Sequence, residues 1–193
     1  DEHPDAVFVQ DPVLVIDQRA IVLRSAAASR RGEAPALVAV LERHLPVVEL
    51  RPPATLDGGD VLVTDRTLYV GLSTRSNREG CRQLEELTGR PVASVALPAG
   101  LLHLLSGCTW LGRDRLLAID ALAPAFPRFE AVLVPGGEAA AANVLVVGAH
   151  AIVPAGNPRV RALLEARGFA VHSVPCSEFE KRDGGVTCRA LLF

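Results

Sequence analysis

The chain of 193 residues contains no methionine, not even at position 1, where Asp1 stands. A translated reading frame opens with one, so the expectation is a processed chain or one that lacks something upstream. No run approaches the ~20 consecutive apolar residues that a bilayer span needs, which excludes a transmembrane helix. The start, DEHPDAV, has neither a basic nor an apolar segment, so no secretory signal is visible. Cysteine is sparse: Cys81, Cys108, Cys176 and Cys188 stand far apart, with no CxxC and no zinc-type histidine spacing. That is too few for a disulfide scaffold and points to a reducing, cytoplasmic setting. A basic excess is also missing. Twenty Lys and Arg against 22 Asp and Glu leave a net charge of −2, which argues against a nucleic-acid partner. What remains is a globular composition, 49% hydrophobic and 22% charged, which excludes a disordered chain. The length suits a single domain over 1–193 with a core of its own.

Apolar runs recur in pairs around polar or glycine turns. Residues 7–17 lead into AIVLR, residues 60–72 turn at Asp65-Arg66, 109–119 at Arg113-Asp114, and 143–156 at Gly148-Ala149. These patterns predict β-hairpins. Helix-like stretches follow at 29–45, with Ser29 as a candidate N-cap, at 74–89, and at 157–168 between Asn157-Pro158 and Gly168. Short apolar strands come next at 47–50, 92–97 and 169–174, and residues 130–134 fit the same place in a shorter unit. The unit is therefore hairpin, helix, strand. One polar residue stands near the head of each copy: Asp11, Asp57, His103, Asn143 and Cys188, at spacings of 46, 46, 40 and 45 residues. A fixed period of that length is the mark of a repeat or propeller architecture. Around an axis, equivalent positions face one another, which would gather two acids, a histidine, an amide and a thiol.

Several of these residues carry chemistry. Cys188 follows Gly184-Gly185 at the head of a final apolar strand and is a nucleophile candidate if a histidine lies near it in the fold, although a buried core cysteine is the commoner fate. His103 interrupts an apolar run, and a neutral imidazole there can both take and give a proton. Asp57 and Asp60 flank Gly58-Gly59, which reads either as a solvated turn or as half of a metal site. No complete ligand set accompanies them, so no metal is expected. Asp11 is expected inside an apolar strand pair, where an acid is costly without a cation. Arg30 and Arg75 open helix-like segments and either stay solvated or clamp a carboxylate. Cys81 and Cys108 read as structural, while Cys176 stays open.

Taken in order and spacing, PDAVFVQD, ASRR, TLDGGDVL, YVGLSTRSN, LHLLSGC, AAN and SEFEKRDGGVTC resemble the dimethylarginine dimethylaminohydrolase family, from about Pro4 to Phe193. The resemblance implies an α/β fold of the guanidino-modifying pentein type: a five-bladed propeller of ββαβ units about a pseudo-fivefold axis. It also implies a cofactor-free hydrolase that makes citrulline and a methylamine from methylated arginine. It makes Cys188 the nucleophile and His103 the general acid and then base. Asp57 becomes the residue that binds the guanidinium and holds His103, Asp5 and Asp11 complete the acidic side, and Arg30 and Arg75 take the substrate's α-carboxylate.

Three departures from the family pattern bear on this. Gln10 replaces a frequent Glu. Leu105 stands where arginine deiminases and amidinotransferases, more distant kin, carry an acid. The strand, helix and strand that precede PDAVFVQD in the family are absent, so a propeller lacking the N-terminal part of its ring is expected. A related hydrolase for another guanidine or amidine is one alternative. Another is a non-catalytic propeller, like a ribosome anti-association factor that shares the fold, since fold alone does not prove function. Beyond a small guanidine, apolar hairpins that need covering favour a homodimer, and nothing suggests a membrane or nucleic-acid partner.

Overall fold

The computed structural model describes residues 3–193. Four three-stranded sheets follow one another along the chain, each an antiparallel hairpin whose second strand pairs with a parallel third. The first contains β1 (Val13–Ile16), β2 (Arg19–Val22) and β3 (Val47–Glu49), and the second β4 (Val61–Val63), β5 (Leu68–Leu72) and β6 (Val92–Ala96). The third contains β7 (Cys108–Gly112), β8 (Arg115–Ala118) and β9 (Glu130–Leu133), and the fourth β10 (Leu145–Val147), β11 (His150–Pro154) and β12 (Ala170–Val174). Parallel pairing demands a crossover. It is supplied by α1 (Ala34–Leu41), α2 (Arg78–Thr88) and α3 (Pro158–Glu165), while the third sheet crosses with only the 3-10 turn Ala123–Ala125. The short helix α4 (Ser177–Glu180) follows the last sheet. The hairpin-helix-strand unit read from the sequence thus occurs four times among the described residues, and its third copy is the shortened one.

Local chemistry explains the element ends. Asp17-Gln18 and Arg113-Asp114 take positive φ at both positions (49° and 59°, 52° and 59°), the left-handed pair of a two-residue hairpin turn. Helix α2 starts at Asn77, whose Oδ1 accepts the Gly80 N–H at 2.8 Å, and stops at Gly89 with φ of 68°. Two expected caps differ. Ser29 lies in the 3-10 turn Ala28–Arg30, and α1 begins only at Ala34, where Pro35 fits a first turn. Asn157 does occupy the N-cap of α3, but its amide donates to the Pro154 carbonyl at 3.0 Å. The cap bonds come instead from Glu138, which accepts the N–H groups of Arg159 and Val160 at 3.1 and 2.8 Å.

The chain divides into two compact units, one running up to Ala96 and taking in Cys188–Phe193, the other spanning Leu97–Thr187. In the first, Ile21, Leu56, Leu68 and Leu84 are fully buried in one apolar cluster, each contributing roughly 1.5–3 kcal/mol. Val13, Ala20, Leu41 and Leu45 form a second cluster in that unit, bringing β1, β2 and α1 together. The other unit packs Leu117, Val132, Val153, Val160 and Leu164 together.

Two segments expected as strands are not strands. Residues around Asp11 turn, because the Phe8 and Asp11 N–H groups donate to the nearby carbonyls of Asp5 and Phe8, so Asp11 precedes β1 instead of lying in a strand pair. Cys188 sits in the 3-10 turn Thr187–Arg189, and none of the four sheets includes residues 188–193. Without a neighbouring ladder an apolar run is not held extended. Among the described residues no helix is long and apolar enough to cross a membrane.

Candidate active site

In the first unit, the buried acid Asp11 is a junction. Its Oδ2 accepts from Arg30 Nη1 at 2.5 Å, its Oδ1 accepts the Gly59 N–H at 2.9 Å, and its carbonyl accepts the Gly58 N–H at 3.1 Å. Gly58 comes so close to the Gln10 carbonyl that an added Cβ would collide with backbone. This is the physical reason for glycine after Asp57. The loop carrying Asp11 and the loop carrying Asp57 are therefore fastened backbone to backbone.

Arg30 is 8% exposed, so it is not a solvated helix-start arginine. Its Nε and Nη2 donate to Glu33 at 3.0 and 2.6 Å, its Nη1 to Asp11, and Nη2 also to the carbonyls of Phe8 and Asp5 at 3.3 Å. Burial alone would lower the guanidinium pKa. The bonds from Glu33 and Asp11 outweigh that and raise it, so the cation is permanent. Asp5 itself is half-buried and meets Arg30 through its carbonyl.

Asp57 is fully buried and precedes the 3-10 turn Gly58–Asp60. Its N–H donates to Ser76 Oγ at 3.2 Å, and its Oδ2 lies 3.7 Å from Nη1 of Arg75, whose side chain is 28% exposed. Arg75 is thus the more accessible of the two arginines. Cys188, half-buried, belongs to this unit too, where its carbonyl accepts the Gln10 N–H at 3.2 Å. Asp11, Asp57, Arg30, Arg75 and Cys188 accordingly share one compact unit, tied by named bonds.

The second unit holds His103, 8% exposed, just before the 3-10 turn Leu104–Ser106. Asn143, 4% exposed, organises its surroundings. Its Nδ2 donates to the Leu105 carbonyl at 2.8 Å and to Thr187 Oγ1 at 2.9 Å, and its Oδ1 accepts the Thr187 N–H at 3.0 Å. One buried amide therefore binds the turn after His103 to the residue that directly precedes Cys188. Gly185 leaves room for it, since a Cβ there would strike the Asn143 side chain.

These arrangements invite comparison with known proteins. The model of the family described as N,N dimethylarginine dimethylhydrolase, eukaryotic, matches residues 1–98. The N(G),N(G)-dimethylarginine dimethylaminohydrolase of Pseudomonas aeruginosa is 37% identical over 199 aligned residues, covering 100% of this chain and 78% of that one. The chain belongs to the dimethylarginine dimethylaminohydrolase family. A crystal structure of a cysteine-to-serine variant of dimethylarginine dimethylaminohydrolase from Pseudomonas aeruginosa, complexed with citrulline, superposes with a TM-score of 0.94 at 37% identity, over 100% of this chain and 78% of that one. The product-bound N-terminal domain of ArgZ, an arginine dihydrolase, matches with a TM-score of 0.88 at 25% identity, over 99% of this chain and 76% of that one. The fold class is accordingly the family's, an α/β pentein built of ββαβ units.

Within that family fold, the other cysteines have unreactive settings. Cys108 is fully buried and its thiol is pushed up to about 12 by desolvation. Burial likewise raises Cys81. Cys176 is also buried, its thiol directed at the Val174 carbonyl. Sequence reasoning missed Glu33, Ser73 and Ser76, and it left Asp60 as a turn or metal residue. Their signal was local: Ser73 and Ser76 flank Arg75 in LSTRSN, and Glu33 lies one helical turn beyond Arg30.

Proposed function

We propose that the chain hydrolyses the guanidino C–N bond of Nω-methylated arginine, giving citrulline and methylamine or dimethylamine. The observation that carries this is the 37% identity over the whole chain to a dimethylarginine dimethylaminohydrolase, with Cys188, His103, Asp57 and Asp11 present in the matching motifs. The guanidinium is planar and cationic, so carboxylates bind it through paired hydrogen bonds. Asp57, fully buried and facing one arginine already, suits a site that accepts a cation in exchange for another. In this reading Asp57 binds the guanidinium and orients His103, and Asp5 and Asp11 complete the acidic side. Arg75 takes the α-carboxylate. Arg30, whose three guanidinium nitrogens already donate to protein oxygens, would take that carboxylate by exchanging one of them.

The chemistry runs in two halves. The Cys188 thiolate adds to the guanidinium carbon, forming a C–S bond. The tetrahedral adduct collapses as its C–N bond breaks, and His103 protonates the departing amine. A thiouronium remains on Cys188. His103, now neutral, takes a proton from water and the hydroxide adds to the same carbon; the C–S bond then breaks to return the thiolate while the new hydroxyl loses its proton to solvent, releasing citrulline. The balance needs only water, and no group beyond these side chains is invoked.

A second reading, hydrolysis of unmodified arginine, draws on the likeness to ArgZ. Leu105 disfavours it, because an unmodified guanidinium offers hydrogens on its second side that call for an acceptor where Leu105 stands. The same proposal takes the protein as a homodimer of the cytoplasm, which sedimentation and cell fractionation test. The decisive assay measures citrulline and amine released from dimethylarginine and from arginine, with Cys188→Ser alongside. Turnover of dimethylarginine that Cys188→Ser abolishes is the expected result. Amine release at the wild-type rate by that variant would refute the mechanism, and ammonia release from arginine alone would favour the second reading.

A further inference from the structure

We infer that Asp60 is a positioning residue that sets both Asp57 and Arg75 through two serine hydroxyls. It is fully buried at the end of the 3-10 turn Gly58–Asp60, directly before β4. Because β4 and β5 are antiparallel, with Val61 opposite Val70, the start of β4 lies beside the segment that leaves β5. That segment carries Ser73, Arg75 and Ser76. Both hydroxyls donate to a single carboxylate oxygen, Asp60 Oδ2, each at 2.6 Å.

The direction of those bonds matters. A hydroxyl has one proton and can turn it anywhere, whereas an ionised carboxylate only accepts. Asp60 therefore fixes each hydroxyl with its proton inward and its lone pairs outward. Ser76 Oγ, so oriented, accepts the N–H of Asp57 at 3.2 Å, and Ser73 Oγ accepts the N–H of Arg75 at 2.9 Å. One acid thus holds the backbone of the proposed guanidinium-binding acid and the backbone of the proposed carboxylate-binding arginine. Asp57 and Arg75 are 18 residues apart in sequence, and Asp60 ties their two loops together at a fixed separation. A substrate whose guanidinium and α-carboxylate are joined by a short chain needs that separation held. In this arrangement Asp60 bears on the proposed substrate-binding groups through Ser73 and Ser76.

The inference rests on the substrate roles proposed above, and the experiment separates the two. Ser73→Ala, Ser76→Ala and Asp60→Ala are assayed on dimethylarginine and on an N,N-dimethylated alkylguanidine that lacks the α-carboxylate, with far-ultraviolet circular dichroism melts as the folding check. Losing one hydrogen bond of this kind changes a kinetic constant by about tenfold. Ser73→Ala should raise KM by about tenfold for dimethylarginine with kcat nearly unchanged, and should leave the alkylguanidine constants alone. Ser76→Ala should lower kcat by about tenfold on both substrates. Asp60→Ala should combine the two losses, and if it does not fold, the serine pair decides alone. Equal effects of the two serine variants on both substrates, or no effect from either, would overturn the inference while leaving the activity standing. A wild type that releases amine from neither substrate would remove the functional reading and the inference with it.

Discussion

Replacing Arg30 by methionine removes a buried cation of similar length and leaves two buried carboxylates behind. Asp11 is 5% exposed, and the side chain of Glu33 only 2%. Breaking one buried ion pair by removing a single partner costs about 3–5 kcal/mol, because the other charge is stranded. Here two are stranded, at 2.5 and 2.6 Å from the lost nitrogens. Two facts keep the cost from doubling. Asp11 retains the Gly59 N–H at 2.9 Å. A carboxyl can also escape by taking up a proton, which at neutral pH costs at most about 4 kcal/mol. The expected loss for Arg30→Met is therefore about 4–5 kcal/mol, and for Arg30→Lys, which keeps the charge and loses the planar fork, roughly 2 kcal/mol. Urea unfolding followed by far-ultraviolet circular dichroism measures it. Fluorescence is the wrong probe, since the single tryptophan, Trp110, lies in the other unit. A loss under about 1 kcal/mol would put the triad in the class of surface ion pairs and refute the reasoning.

Other positions give sharper local tests. Gly58→Ala drives a methyl into the Gln10 carbonyl, so it should lower the melting temperature and cut kcat/KM by at least tenfold, because the Asp57 loop must shift. Asn143→Leu removes all three bonds to Leu105 and Thr187, and at about 1 kcal/mol or more each should destabilise by roughly 3 kcal/mol in urea and slow the alkylation of Cys188. Burial alone would raise the Glu138 carboxyl, but the N–H groups of Val160 and Arg159 and the Arg159 guanidinium outweigh it, so its pKa is lowered from 4.5. A lowered folded pKa means stability present above the unfolded value and lost as pH falls through the folded one. Glu138→Gln should therefore cost about 1 kcal/mol in urea at pH 7 and progressively less below pH 4.

The repeat was legible because its signals are local. Asp17-Gln18 and Arg113-Asp114 tolerate left-handed backbone, the apolar strands have the right length, and α2 carries its own stop at Gly89. Errors fell where a local pattern competes with a distant partner. Val7 to Val9 is an apolar run that reads as a strand, yet the chain there closes on itself as the Phe8 and Asp11 N–H groups donate to the Asp5 and Phe8 carbonyls. Asn157-Pro158 has the look of a cap, but Glu138 fills the role from 19 residues upstream. Arg30 reads as a solvated helix-start arginine or a carboxylate clamp, and nothing local marks Glu33, three residues on, as its partner. Asp11, brought from the preceding loop, and Glu33 together make Arg30 the centre of a buried triad.

The candidate site divides the same way. Asp57, His103 and Cys188 stood out by period and by family motif, since each stands near the head of one copy of the repeat. What supports them stands out less, because serine and glycine are common in loops for many reasons. The segment DGGD shows why. Asp57 carries the charge, Gly58 is glycine because the Gln10 carbonyl leaves no room, Gly59 presents its N–H to Asp11, and Asp60 orients Ser73 and Ser76. Three of those four reasons lie in residues 10, 11, 73 and 76, outside the segment. A motif of this kind is a junction of three loops, so its tolerance to substitution should follow what each position touches. Gly58, against backbone that cannot yield, should be the least forgiving glycine.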